Sequence, residues 1–202
     1  AALAKLPAEL RSFAAWANIP LNTEDFAIAI TLDKPCVLHV EDADSDILFP
    51  AEAAPLSLDE YNALKALTLK SAADFLALYN SIPDKAGTTL TPRKTFYGDV
   101  PLTAEAMYTH TKNVNAYYFG EIGVTVGNEP DIAACRAAGF ALLEAQASCL
   151  ENRVFDGSQC EQWSLRKVLR RFLWHDRIHA RAMYRMACRL CGEGNVADPF
   201  GF

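Results

Sequence analysis

Histidine is scarce in this chain, with 4 among 202 residues, at His39, His110, His175 and His179. Any site built from imidazoles must therefore draw on these four. No apolar run approaches the roughly 20 residues needed to span a bilayer, so no membrane partner is expected. Basic residues are not in excess: 19 Lys and Arg stand against 25 Asp and Glu, for a net charge of −6. That balance argues against a nucleic-acid partner, because such affinity comes largely from neutralising phosphates. The first ten residues carry Lys5, Pro7 and Glu9 and lack the long apolar core of a secretory leader. The expectation is a cytoplasmic protein with reduced thiols. Internal repeats and low-complexity segments are also lacking.

What is present is ordinary globular material. Half of the residues are apolar (51%) and about a fifth are charged (22%), enough for one well-buried domain. Of the six cysteines, Cys188 and Cys191 form a C-x-x-C. A zinc ribbon needs a second such pair and a thioredoxin-like site needs a strand before it. This pair closes a helix, so small buried apolar roles are expected for it.

The pattern divides the chain into an N-terminal extension, residues 1–52, and a helical domain, residues 53–202. In the extension, 7–17 reads as a short helix with Pro7 in its first turn. Phe26, Ile28, Ile30 and Leu32 alternate with smaller residues, a strand period. A turn at 33–35 and a second short strand at 36–40 would complete a β-hairpin. Residues 42–46 open like a calcium loop. The sixth position, however, is Ile47 where glycine is needed, and the twelfth is Ala53 where a bidentate Glu is needed, so a solvated acidic turn is expected.

The rest is helical. Ser57-Leu58-Asp59-Glu60 is a capping box, and apolar spacing continues to about Ile82, before Pro83. Residues 84–102 hold two glycines and two prolines and read as a long connection, of the kind that is often functional or crosses from one end of a bundle to the other. Thr103 caps a helix reaching about Ile122. Residues 128–131 start another, expected to run to about Glu151. Ser164 caps the last, expected to reach about Leu190. Four long helices after a small mixed start predict a mainly α fold, a four-helix bundle with a small α+β extension.

The sharpest feature lies in the last helix. Trp174-His175-Asp176-Arg177-Ile178-His179 places two histidines four residues apart, on one helical face. At about 100° per residue, they share that face with Val168, Phe172, Met183, Met186 and Leu190. Arg166, Lys167, Arg170, Arg177, Arg181 and Arg185 fall on the far side. Two imidazoles entering a core need partners, because an unsatisfied buried polar group costs about 1–3 kcal/mol. A shared metal satisfies both. A third ligand is usual, and His110 lies on the apolar face of its own helix with Met107, Val114, Tyr117 and Tyr118. A lone buried histidine more often bonds a carbonyl. Three on inward faces favour a metal, with His110, His175 and His179 as its ligands. Three neutral nitrogens suit zinc, nickel, iron or copper better than magnesium or calcium. The second position of the His175/His179 motif is Asp176, not the Glu of a zinc protease.

The residues Trp163-Ser164-Leu165-Arg166-Lys167-Val168-Leu169, leading to His175-x-x-x-His179, resemble the last helix of the DinB-like superfamily of metalloenzymes. Residues 108–118, around His110, resemble its second helix. The resemblance covers about residues 57–191. It implies a four-helix bundle, a divalent transition metal held by the three histidines (zinc, nickel or iron foremost), and a metal-dependent hydrolase or thiol-dependent transferase acting on a small molecule. Two departures stand out: Asp176 and Arg177 lie between the paired histidines where many relatives carry an extra His, and residues 1–52 have no counterpart. The alternative is a non-catalytic module that the metal staples. Catalytic helpers are not fixed by spacing. Asp176, Tyr117, Asn113 and Glu121 are the candidates, each with a structural role as its plainer reading. Glu121 sits about 16 Å beyond His110 along the axis. A small-molecule ligand is the expected partner, and a homodimer is left open.

Overall fold

The computed structural model describes residues 2–21, 27–33, 35, 47–95 and 98–202. The fold is mainly helical, with two short antiparallel strand pairs among the described residues. Helix α1 is Ala2–Ala17, α2 is Leu58–Ser81, α3 is Ala104–Gly120, α4 is Ile132–Glu144 and α5 is Leu165–Cys191. Strand β1 (Lys94–Thr95) pairs with β2 (Gly98–Asp99), and β3 (Phe155–Asp156) pairs with β4 (Gln162–Trp163).

Helix starts follow local chemistry. Ser57 accepts the Glu60 amide at 3.2 Å, and the Glu60 carboxylate accepts the Ser57 amide at 3.0 Å. The Thr103 and Ser164 hydroxyls accept the Ala106 and Lys167 amides at the starts of α3 and α5. Asp131 accepts two amides, from Ala133 and Ala134, at the start of α4. Each cap satisfies amides that a helix start leaves without partners.

Side-chain pairs fix the helix directions. Tyr79 and Phe75 near the end of α2 stack on Tyr108 near the start of α3, so these two run antiparallel. Tyr61 near the start of α2 donates to Glu144 at the end of α4, which is also antiparallel. Tyr108 at the start of α3 accepts from the Ile132 amide at the start of α4, and Asn115 donates to the Cys135 carbonyl further along. Thus α3 and α4 run parallel. The crossing segment is therefore residues 121–131, which returns along α3 with Asn115 donating to the Gly127 carbonyl. Residues 84–102, read as either functional or crossing, do not cross. Their two ends are tied together where the Glu105 amide donates to the Lys85 carbonyl and Thr88 donates to the Leu102 carbonyl.

Three sequence expectations need correction. Residues 27–33 hold no strand, and Ile28, Ile30 and Leu32 are 41%, 65% and 48% exposed. Their alternation buries no face, so the first arm of the N-terminal hairpin does not form. Phe26, the second arm at 36–40, His39 and the acidic turn at 42–46 lie outside the described residues. Helix α4 ends at Glu144 rather than Glu151. A 3-10 turn at Cys149–Glu151 follows, and then Asn152 adopts a left-handed conformation and donates to the carbonyls of Glu52 and Ala54. Helix α1 begins at Ala2, five residues earlier than expected, with Pro7 inside it. Its proline deprives only the Leu3 carbonyl of a partner, and Leu3 is exposed.

The core has two apolar halves. One gathers Phe75, Leu78, Met107, Met183, Met186 and Phe200, with Trp16 of α1 packed into it. The other gathers Tyr61, Tyr118, Phe119, Phe140, Trp163 and Phe172. Between them every one of α2 to α5 carries buried polar residues: Thr68 and Ser71, Thr111 and Asn115, Arg136, His175 and Asp176. The candidate site lies at this level.

The second half packs closely on α4. A Cβ added to Gly139 would lie 2.1 Å from the Phe119 ring, itself packed against Phe140 and Phe172. Alanine favours helix by about 1 kcal/mol over glycine, whereas overpacking costs about 1–3 kcal/mol. Since a buried ring must move, Gly139→Ala is expected to lower stability by about 1–2 kcal/mol. A urea midpoint no lower than that of the parent would refute the close approach.

Candidate metal centre

Antiparallel packing of α3 and α5 brings the three histidines together. One ring nitrogen from each of His110, His175 and His179 lies within 4.8 Å of the other two. The Nε2 atoms of His110 and His175 are 3.1 Å apart. Ring centroids are separated by 5.0 Å for His110 and His175, 4.7 Å for His110 and His179, and 4.4 Å for His175 and His179. Two nitrogens each about 2.0–2.1 Å from a tetrahedral ion stand about 3.3–3.4 Å apart. The His110–His175 distance is close to that value, and the other two pairs lie within 4.8 Å. Among the described residues no further His, Cys, Asp or Glu joins the cluster.

The imidazoles lie in a graded environment. His175 is buried, His179 half-buried and His110 exposed. Burial drives the His175 pKa well below the usual value, and His179 and His110 push it further. Burial and the neighbouring His110 lower His179 to about 3. Burial also lowers His110. All three are therefore neutral near pH 7, the form whose lone pairs bind metals. His175 keeps its Nδ1 buried without a hydrogen-bond partner, so no described side chain fixes its tautomer from behind. The exposed edge of His110 leaves one side of the cluster facing solvent.

Structure places the candidate helpers differently. Asp176 is wholly buried and paired with Arg136, with Nη1 to Oδ2 at 3.1 Å and Nη2 to Oδ1 at 3.3 Å. The Arg136 guanidinium lies 3.7 Å from the Phe172 ring centroid. Asp176 therefore joins α5 to α4 and does not point with His175. Glu121 accepts from the Ser158 amide and hydroxyl, and that hydroxyl also reaches Tyr117. Asn113 is exposed on α3. None of the four meets the cluster directly. Tyr118, on the face that reading did give to α3, sets its ring edge-on to His175 with centroids 6.1 Å apart. Burial pushes its hydroxyl up to about 12, so it remains a protonated phenol.

Two residues escaped the sequence reading. Arg136 was legible only as the lone charge in the Ala- and Gly-rich run of α4. Arg171, one turn before His175, is buried among the rings of Tyr118, Trp163 and Trp174, a setting that no periodicity reveals. Lys167, expected on the solvent face, is wholly buried. The β3–β4 hairpin folds over the first turn of α5, and Lys167 donates to Glu161 and to the Gln162 carbonyl beneath Trp163. Leu190, expected inward, is 37% exposed.

No family model, no curated protein and no solved structure matches this chain.

Proposed function

We propose that this chain is a metal-dependent protein of the DinB-like kind, with α2 to α5 as its four-helix bundle and one divalent transition metal held by His110, His175 and His179. The observation that carries this reading is the convergence of three neutral imidazoles, from two antiparallel helices, within 4.8 Å. The donor set fits zinc, nickel or iron, since it offers three nitrogens and no carboxylate. An ion bound there supplies Lewis-acid chemistry to a small substrate. The chain's own residues do the rest. His110 opens the site to solvent, while Tyr118 and Arg171 border its closed side and present a phenol and a fixed positive charge near His175. Hydrolysis or thiol-dependent transfer of a small molecule is the reaction class this supports best. The rival reading, a metal that only staples α3 to α5, requires a centre closed by protein ligands. An exposed His110 weighs against it.

Elemental analysis is expected to find about one transition metal per chain in the parent protein and none in the His175→Ala/His179→Ala variant. Equal metal content in both would refute the ligand assignment. Cobalt-loaded protein is expected to change its visible spectrum when a small thiol is added. An unchanged spectrum would favour the staple.

A further inference from the structure

A cavity of about 670 Å³ lies away from the histidines, in a groove between α1, α2 and α5. Its size falls within the range of small-molecule sites. Leu6, Leu10 and Phe13 of α1, Leu64 of α2, and Trp174 and Ile178 of α5 form its apolar walls. Arg166, Arg170, Arg177, Arg181 and Arg185 line its rim. These arginines belong to the face that sequence periodicity assigns to solvent, and the groove makes them neighbours of an apolar trough.

The charge along the rim is lopsided. At one end Arg166 pairs with Glu60 and Arg170 pairs with Glu52, so that end is neutralised. At the other end Glu9 binds Arg181 at 2.6 and 2.8 Å, and the charges of Glu9 and Asp198 both reach Arg177. Arg185 is exposed and without an ion pair among the described residues. The Arg177 guanidinium sits among Phe13, Trp16, Phe200 and Phe202 with both terminal nitrogens lacking hydrogen-bond partners. Burial and the nearby Arg181 lower its pKa. The charge of Arg185 is thus left over at one end of an apolar trough.

We propose that this groove binds a free long-chain carboxylate, with its head at Arg185 and its acyl chain laid along Ile178 and Trp174 toward Leu64. A groove with one uncompensated end fits a ligand charged at one end only. A polyacidic partner would need unpaired cations along the whole rim, and Arg166 and Arg170 are already engaged. From Arg185 back to Trp174 is about 16 Å of helix, comparable with an extended chain of about twelve carbons. The proposal is independent of the metal centre, because none of the three histidines lines the groove.

The test is a titration of the full chain with saturated fatty acids of increasing length, below their micellar concentrations, followed by tryptophan fluorescence and calorimetry. Trp174 reports directly from the groove wall. Saturable one-to-one binding is expected, tightening by about fourfold per added methylene where the chain is fully buried. The matching methyl esters are expected to bind at least about tenfold more weakly. Arg185→Glu, at an exposed position without an ion pair, should weaken the carboxylate by a similar factor. Ile178→Glu should abolish binding by placing a charge in the trough. Both variants should keep the metal content of the parent, which separates failure here from failure of the metal assignment. Absence of saturable binding, equal affinity for acid and ester, or binding seen only with anionic vesicles or acidic peptides would overturn the proposal.

Discussion

Arg136→Met alone, or Asp176→Ala alone, is expected to lower the unfolding free energy by about 3–5 kcal/mol, a loss typical of a buried charge left without its partner. Both side chains are wholly shielded from solvent. Water cannot therefore solvate whichever charge remains. The interaction is bidentate and flanked by the Phe172 ring, so small rearrangements offer no second partner. Replacing both residues by apolar ones, as in Arg136→Met/Asp176→Leu, should restore most of the loss, because desolvation of the pair offsets much of its attraction. Denaturant melts of the two single variants and the double variant form a cycle whose coupling term reads the interaction. Additive losses would show that the two side chains act separately. If a single variant fails to fold, Asp176→Asn keeps the shape and one acceptor oxygen, and its smaller loss gives the same sign.

The same pair shows where sequence reading reaches its limit. Period 3.6 placed His175 and His179 on the inward face of α5 and His110 on that of α3, because their apolar neighbours repeat with the helix. Caps at Ser57, Thr103 and Ser164 were legible because each solves a local problem, an amide without a carbonyl. The end of α4 was not. Residues 145–148 are all compatible with helix, and beyond them Asn152 turns left-handed and reaches the carbonyls of Glu52 and Ala54, about a hundred positions away in sequence. Burial of Lys167 likewise depends on a hairpin of two-residue strands too short to leave a pattern. The parallel run of α3 and α4 follows from a segment, 121–131, that has the length of an ordinary connection. Its hydrogen bonds to α3, Asn115 donating to the Gly127 carbonyl and the Ala116 amide donating to Asn128, reveal that it travels back along α3. Alternation at 27–33 misled because a strand period describes a face only when something packs against it. Ile28, Ile30 and Leu32 are exposed.

Zinc or nickel in excess is expected to raise the thermal midpoint of the parent protein, and to leave the His175→Ala/His179→Ala variant where it was. Ligand binding to the folded state alone stabilises by about 4 kcal/mol at a thousand times the dissociation constant. For a chain of this size that corresponds to roughly 8–16 °C. Chelation should reverse the gain. Acid should remove it too, since protons compete for the nitrogens that hold the ion. The metal-free chain carries its own pH signature. Folded His179, at about 3, and folded His175, held well below its usual range, decline protons that the unfolded chain accepts near pH 6.5. Below that point the unfolded state binds more protons than the folded state. Stability therefore falls with acid, between about pH 6.5 and 3, by up to about 1.4 kcal/mol per pH unit for each such imidazole. Parent and double variant should diverge most steeply in that window, because alanine removes the groups responsible. A metal-free parent whose midpoint tracks that of the variant through the same window would mean that the histidines titrate alike in both states. Rings that titrate so freely would be too solvated to form the desolvated nitrogen cluster on which metal binding depends.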